Sequence, residues 1–504
     1  MHSPIITPAQ MRAAEEAALA RGITAEALMD QAGERIARAL TRFFPRAGKC
    51  IVFAGKGHNA GDALVAARWL AEAGWRIETR LTFSEKELSA LTSEKLRELR
   101  DQECGRGLSA PIDATPGIGA PRPLPHSQTI ILDGLLGLGA HPPLREPIRS
   151  ACREINSLRA EAYVIAIDLP TGLDGDSGAA DPDCVRADFT ITVGGAKRGL
   201  VADSAIDFVG RLEVVLLDEL RAGDPGGGEV AIPESLRYLL PRRKYSAYKN
   251  QFGRIGIVAG SRGFTGAAVM CSLGALRAGA GLVELFVPEE IYGIVATAAA
   301  PEVMVKPVQS YDSLLEEPID VWALGPGLGK ARAGEILALI RDAKQPMVVD
   351  ADGLNILAEN SATLNELQGA RLLTPHPGEM QRLFPTAKMS RAEIATKFCA
   401  QHTLTLLLKG SRTIVAEAGR PLSYNTTGNP GMATGGMGDV LTGVCAALLG
   451  AKLLPHDAAR VGAWLCGRAA ELAVCNGHAS EESLLPGDVL DHLGAAFSDL
   501  RECR

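Results

Sequence analysis

At 504 residues the chain is too long for one ordinary domain, and two or three are expected. Apolar residues at 46% and charged residues at 22% describe a globular protein that can bury large cores. A net charge of -7 and aromatics at only 5% argue against a nucleic-acid binder, because no basic stripe tracks phosphates and few rings are available to stack on bases.

Arg12, Glu15 and Glu16 interrupt the first twenty residues, so no signal-peptide core is read there, and no run is long and apolar enough to span a bilayer. The 10 cysteines form no CxxC pair and no metal-ligand spacing. They read as buried free thiols of a reducing compartment, and a cytoplasmic protein is expected.

In chain order, helical spacing covers 8–22 and 24–43, with Thr7 and Thr24 as N-caps. Strands are predicted at Cys50–Ala54, Arg76–Thr82, Thr129–Leu132, Tyr163–Ile167, Phe189–Val193 and Leu212–Leu217, with a strong helix at 63–73. The charged stretch Ser84–Gly107 reads as a solvated helix. Residues 221–229, RAGDPGGGE, combine Gly, Pro and charge without periodicity and form a linker between domains 1–220 and 230–504.

Beyond it the alternation restarts, with strands at Ile255–Ala259, Leu282–Val287, Val321–Leu324, Met347–Val349, Leu404–Leu408 and Thr413–Ala416. Helices are predicted over 266–280, 439–449, 457–474 and 486–500. Alternation of strand and helix implies right-handed crossovers and a mostly parallel sheet in each half. Ligands on such sheets sit at the strands' carboxyl ends, which is where the chemistry-bearing motifs fall.

In the first half, GKGHNAGDA (55–63) follows the first strand, without the Lys-Ser/Thr of a Walker loop and without GxGxxG. Asp133 opens DGLLGLGAHPP after one strand and Asp168 stands in IDLPTGLDGDSG after another. Asp62, Asp133 and Asp168 would converge on one crevice, where carboxylates and an Asn oxygen suit a hard cation and glycines leave room for a ligand. Taken singly, each acid is equally a helix cap or turn residue. Lys197 is either a binding residue or a surface lysine.

In the second half, VAGSRGFTGAA (258–268), ALGPGLG (323–329), VVDADGLN (348–355), TPHPGEM (374–380) and LKGSRT (408–413) each adjoin a strand end. GNPGMATGGMGDVLTG (428–443) completes the set, packing glycines against Asp439 before an apolar helix. Such a nest suits a transferring phosphoryl group, and a carboxylate at its edge can take a proton from an attacking hydroxyl. Open alternatives are a turn role for His376, a strand cap for Lys409, an Asp-Gly turn or a metal site at Asp352 and Asn355, and an N-cap for Asp439.

The first-half motifs resemble the epimerase domain of the bifunctional NAD(P)H-hydrate repair enzymes, with HNAGDA where that family reads NNGGDG. The phrases TGAA, LGPGLG, TPHPGE, LKG and NPGMATGGMGDVL resemble its ADP/ATP-dependent dehydratase domain. SAYKNQFG departs from the family's SHKGxFG at that domain's edge.

The resemblance implies an α/β protein: a Rossmann-like three-layer domain followed by a ribokinase-like α/β domain. It implies potassium at Asn59, Asp133 and Thr171. It implies a hydrate site lined by His58, Asn59, Ala60, Gly61, Asp62, Gly137, Leu138, Gly139, Ala140, His141, Pro142, Pro143 and Asp168. Asp168 would protonate the leaving hydroxyl and then activate water on the other face.

In the second domain Lys409, Gly410, Ser411, Arg412, Thr413 and Gly438 would hold ADP or ATP with magnesium, while Ala267, Gly327, His376 and Asp439 would contact the hydrate. Gly435, Gly436 and Gly438 would form an anion hole, and Asp439 would be the base. The partners implied are NADHX, NADPHX and ADP or ATP, with no nucleic acid or membrane, in a homo-oligomer. The alternative is a ribokinase-type small-molecule kinase fused to a non-catalytic Rossmann-like binding or dimerisation module.

Overall fold

Thr7 and Thr24 each accept a first-turn amide, so the two N-terminal helices start where those hydroxyls predict: α1 at Pro8–Ala20 and α2 at Ala25–Phe43. The computed structural model describes residues 3–105, 128–139, 142–220, 227–385 and 388–502. It divides into two units, residues 3–225 and 226–504. Ala140, His141 and most of the linker stretch lie outside the described residues.

In the first unit the sheet strands are β1 (Lys49–Ala54), β2 (Arg76–Leu81), β3 (Thr129–Gly134), β4 (Tyr163–Ile167), β5 (Phe189–Val193) and β6 (Arg211–Val215). They pair in the order β2-β1-β3-β4-β5-β6, all parallel. β1 and β3–β5 are almost wholly buried, as expected of parallel strands covered on both faces. Helix α3 (His58–Glu72) begins inside HNAGDA, and Ala63 packs where a side chain on Gly134 would have to stand.

The charged stretch after β2 is not simply solvated. Its helix, α4 (Ala90–Gly105), buries Leu96 and Leu99, and Lys95 is buried against Glu26 (3.2 Å), Asp30 (2.9 Å) and Glu98 (3.0 Å). Three carboxylates around one ammonium make burial of that charge tolerable, which periodicity alone does not reveal.

The second unit carries β7 (Glu229–Val230), β8 (Arg254–Val258), β9 (Leu282–Pro288), β10 (Val303–Val308), β11 (Val321–Leu324), β12 (Met347–Val349), β13 (Arg371–Leu373), β14 (Thr405–Leu408), β15 (Thr413–Glu417) and β16 (Ser423–Asn425). Their order is β10-β9-β8-β11-β12-β13-β14-β15-β16-β7, parallel from β10 through β14 and antiparallel across β14-β15-β16. Glu229, the last residue of the stretch read as a linker, pairs with Ser423 and forms an ion pair with buried Arg460. β13 escapes a hydrophobicity reading because it begins with Arg371, a fully buried arginine whose guanidinium donates to the Ile340 and Gln345 carbonyls at 2.8 and 3.0 Å.

Two helices frame the site in this unit: α5 (Thr265–Arg277) and α9 (Met437–Gly450). They lie backbone to backbone because Gly274 and Gly443 have no side chains. A Cβ on Gly443 would stand 2.0 Å from the Cys271 carbonyl oxygen, and one on Gly274 2.5 Å from that of Val440. Gly436 likewise abuts Met270, so both helix N-termini open at the same edge of the sheet.

Candidate active sites

Strand order reverses beside β1 in the first unit and beside β8 in the second, and an open α/β sheet parts its loops at such a point. In the first unit the loops after β1 and β3 flank that crevice. The described cysteines are free thiols, all buried but half-buried Cys475.

Asp133 ends β3 fully buried. It accepts from the Thr171 amide (2.8 Å), the Thr171 hydroxyl (2.7 Å) and the Leu135 amide (3.2 Å). Burial nevertheless pushes its carboxyl up to about 6. Asn59 sits beside it with its carboxamide against Gly137, and its Nδ2 is buried without a hydrogen-bond partner among the described residues.

The donor set here is all oxygen: a carboxylate, the Thr171 hydroxyl, the Leu136 carbonyl 3.4 Å from that hydroxyl, and an amide whose orphaned end an O/N flip would turn into an acceptor. That chemistry fits an alkali cation. The structure therefore joins Asp133 to Thr171 and sets Asn59 against Gly134 and, in the adjoining loop, Gly137.

A second cluster adjoins it. Asp168 follows β4 with a left-handed φ of 67°, an uncommon conformation for a residue with a side chain. Its Oδ1 accepts from the Lys197 ammonium, the Thr192 hydroxyl (3.0 Å) and the Val193 amide (3.3 Å). Lys197 is wholly buried, so the surface-lysine reading falls.

Asp62 lies one turn into α3, past the capping position at Gly57. Burial, Asp168 and Glu15 together hold its carboxyl well above the usual carboxylate range. Glu15, on α1, is raised by burial and by Asp168. Nothing in the strand-end grammar pointed to Glu15.

Among the other expected residues, Leu138 offers its carbonyl to Arg12 at 3.1 Å, Gly139 faces open space, and His58, Pro142 and Pro143 are exposed. Ala60 is fully buried, and the space beside Gly61 is filled by Met29 rather than left for a ligand.

In the second unit Gly327 has φ 63°, and a Cβ there would meet Phe264 and Ala267 at 2.9 and 3.1 Å, so the loops after β8 and β11 touch at Ala267 and Gly327. Asp352 accepts the Gly329 amide at 2.8 Å, and Asn355 accepts from Arg382 at 2.9 Å. Both are thereby engaged in holding loops, and Asp352 and Gly353 lie in a helix over 351–359 rather than in the Asp-Gly turn expected. His376 caps the helix α7 (Pro377–Leu383). Its Nδ1 accepts the Gly378 amide at 3.0 Å, leaving Nε2 to bear the proton, 3.3 Å from Glu379 Oε1.

Gly436, with φ 95°, is the N-cap of α9, and no side chain caps that helix. Asp439 stands in the first turn rather than at the cap, beside first-turn amides that no side chain caps, with open space at Gly435. Burial and the Asp350 carboxylate push Asp439 up to about 7, against the opposing pull of Lys409.

Lys409 Nζ donates to Asp350 Oδ1 at 2.7 Å and lies 3.8 Å from Glu379. Its ammonium thus rests on carboxylates, while its turn is clasped by Arg391, which donates to the Lys409 and Arg412 carbonyls at 3.3 and 2.8 Å. Asp350 and Arg391 were missed. Their partners are distant in sequence, and only DADG as a turn signal hinted at the first.

Two acid-bearing crevices, one with an uncapped, glycine-lined helix start, define a two-site α/β enzyme, the second site of a kind that handles phosphoryl groups. Residues 255–491 match the family model described as NAD(P)H-hydrate dehydratase, and residues 25–199 match that of the YjeF-related protein N-terminus. A bifunctional NAD(P)H-hydrate repair enzyme of Moorella thermoacetica is 35% identical over 498 residues, spanning 94% of this chain and 93% of that protein.

The counterpart of Escherichia coli is 35% identical over 471 residues, spanning 92% of this chain and 88% of that one. A crystal structure of the ADP/ATP-dependent NAD(P)H-hydrate dehydratase of Bacillus subtilis, grown with ATP and Mg2+, is 28% identical. It covers 55% of this chain and 99% of that one at a TM-score of 0.48. The chain belongs to the bifunctional NAD(P)H-hydrate repair enzymes.

Proposed function

We propose that the two crevices act in sequence on hydrated NADH and NADPH: the first interconverts the R and S epimers, and the second dehydrates the S form at the expense of ADP or ATP. The observation that supports it most directly is Asp439 beside uncovered amides at a helix start, with Lys409 and Asp350 next to it.

In the second site Asp439 takes the hydroxyl proton as the hydrate oxygen attacks the terminal phosphoryl group, whose bridging phosphorus–oxygen bond breaks to release ADP from ATP or AMP from ADP. Phosphate then leaves from that ester with the electron pair of the carbon–oxygen bond, pushed by the ring nitrogen, and the adjacent carbon loses a proton to restore the dihydronicotinamide. The first-turn amides of α9 receive the charge that develops on the transferring group. Lys409, Gly410, Ser411, Arg412, Thr413 and Gly438 hold the nucleotide, and Ala267, Gly327 and His376 the hydrate. Magnesium bound with the nucleotide would neutralise phosphate charge.

In the first site the carbon–oxygen bond breaks as the hydroxyl leaves with a proton, and water returns on the opposite face. Asp168, ion-paired to Lys197, suits the base half of that exchange. The acid half, first assigned to Asp168 as well, falls better to Asp62, whose burial and neighbouring carboxylates favour its protonated form. Potassium at Asn59, Asp133 and Thr171 would supply fixed positive charge beside the hydrate. We further infer a cytoplasmic homo-oligomer, with the epimerase in 1–220 and the dehydratase in 230–504.

Incubation with mixed hydrate epimers, with and without ADP or ATP, tests both halves through the return of NADH absorbance. Complete conversion needs both activities. Recovery of only the S fraction would remove the epimerase, and no recovery with either nucleotide would remove the dehydratase.

A further inference from the structure

Asp350 is a helix N-cap by position that does not cap its helix. It precedes α6 (Ala351–Glu359), and no side chain caps that N-terminus. An aspartate there ordinarily accepts a first-turn amide, and this one forgoes that bond. Both oxygens go elsewhere: Oδ1 to Lys409 Nζ at 2.7 Å and Oδ2 to the Thr442 hydroxyl at 2.9 Å.

The carboxylate is buried, and the next residue, Ala351, is held at a φ of 46°, in the left-handed region that disfavours a side chain. Strain beside a charge turned away from its own helix marks a geometry kept for another purpose.

The partners show which purpose. Thr442 lies one turn beyond Asp439 on α9, and Lys409 ends β14. A Cβ on Gly438 would sit 3.4 Å from both Asp350 Oδ2 and Lys409 Nζ, so the ion pair lies directly beneath the glycine preceding Asp439. From Lys409 the chain of contacts runs to Glu379 at 3.8 Å. Glu379 in turn accepts the His376 amide at 2.8 Å and meets the His376 ring at 3.3 Å. One buried carboxylate therefore joins the helix that carries the base, the turn expected at the nucleotide, and the histidine expected at the hydrate.

We propose that Asp350 is a positioning residue of the dehydration: it fixes the Lys409 ammonium under Gly438 and, through Thr442, the start of α9, so that Asp439 and that ammonium meet the transferring phosphoryl group as a rigid pair. The inference rests on Asp439 as the base. The charged and titratable groups facing Asp439 are Asp350 from the end of β12, Lys409 from the end of β14 and Cys271 from α5, with Glu379 and His376 of α7 behind Lys409. Asp350 is the charge that raises Asp439, so its neutral isostere lets the base deprotonate at lower pH.

The test is Asp350→Asn in the full-length enzyme, with Thr442→Val as the milder companion should the first not fold. Nucleotide binding serves as the check that the second unit is intact. Asp350→Asn is expected to lower kcat roughly tenfold or more with little change in the KM for nucleotide. Its rising pH limb is expected to move to lower pH, because burial still raises Asp439 but the neighbouring negative charge is gone. Thr442→Val is expected to lower kcat less and leave the limb in place.

A folded Asp350→Asn enzyme with wild-type kcat and an unmoved limb overturns the inference, as does a loss confined to KM. Full turnover in Asp439→Asn instead removes the base itself. That outcome is distinguishable from an Asp439-dependent enzyme indifferent to Asp350.

Discussion

Thr171 holds Asp133 by both carboxylate oxygens, its hydroxyl 2.7 Å from Oδ1 and its amide 2.8 Å from Oδ2. The tip of β3 is thereby tied to the loop after β4, and the same hydroxyl faces the Leu136 carbonyl. This pairing leads to the first prediction. Thr171→Val leaves a buried carboxylate oxygen short of a donor, at a cost of about 1–3 kcal/mol. Potassium, but not sodium or choline, should raise the melting temperature of the wild type at pH 7.5, and the valine variant should lose that selective gain. An equal response to all three salts would argue against a cation site here.

The dehydratase should depend on pH through Asp439. Its carboxyl is pushed up to about 7, and a base works only when ionised, so kcat should climb as pH rises from 6 to 8 and level off above. Asp439→Asn should bind nucleotide yet lose roughly 100- to 10,000-fold in turnover. A flat profile across that interval would exclude this carboxylate as the proton acceptor.

Epimerisation should show the opposite slope. Burial and two neighbouring carboxylates hold Asp62 well above the usual carboxylate range, so it bears its proton at low pH and loses it as pH rises through that raised value. The rate of epimer exchange should therefore fall at the alkaline end. Asp62→Asn should abolish exchange while the dehydration of the S form continues. An exchange rate that keeps increasing up to pH 9 would contradict an acid at this position.

Lys197→Met strands Asp168 without its cation. Removing one partner of a buried pair costs about 3–5 kcal/mol, so the first unit should melt earlier and stop exchanging epimers, with the second unit's activity intact. Calorimetry of the full chain with parallel assays of both activities reads this out. Unchanged melting would mean that the pair stabilises nothing.

Gly443→Ala probes the helix contact that frames the second site. The new methyl carbon would stand 2.0 Å from the Cys271 carbonyl oxygen, a backbone atom that cannot swing away. Forcing α5 and α9 apart should cost about 1–3 kcal/mol and lower dehydration more than epimerisation. Full dehydratase activity with native stability would show the interface to be looser than drawn.

Much of this arrangement was legible in the chain. Hydrophobic runs ended by Gly, Asp and Asn located β1, β3, β4, β8, β11 and β12 within a residue or two, because buried parallel strands are continuous apolar segments. The caps at Thr7 and Thr24 follow from local chemistry alone, whereas the helix expected from 439 starts at Met437 behind the uncapped Gly436. Short or charged strands escaped: β7, β10, β13 and β16 gain their pairing from neighbours and, for β13, from a buried arginine, not from their own periodicity.

By itself the sequence determined where strands end and therefore which acids, glycines and lysines stand at the carboxyl edges of two sheets, since backbone propensity and burial periodicity act over a few residues. Only the tertiary structure decided which of those groups meet. Lys409 and Asp350 are 59 residues apart and Thr442 and Asp350 92 apart, and Lys197 reads equally as a binding or a surface residue until folding encloses it against Asp168. Charges and hydrogen bonds act through space, so their partners, and the proton affinities that make acids and bases of them, exist only once the sheet has brought the loops together.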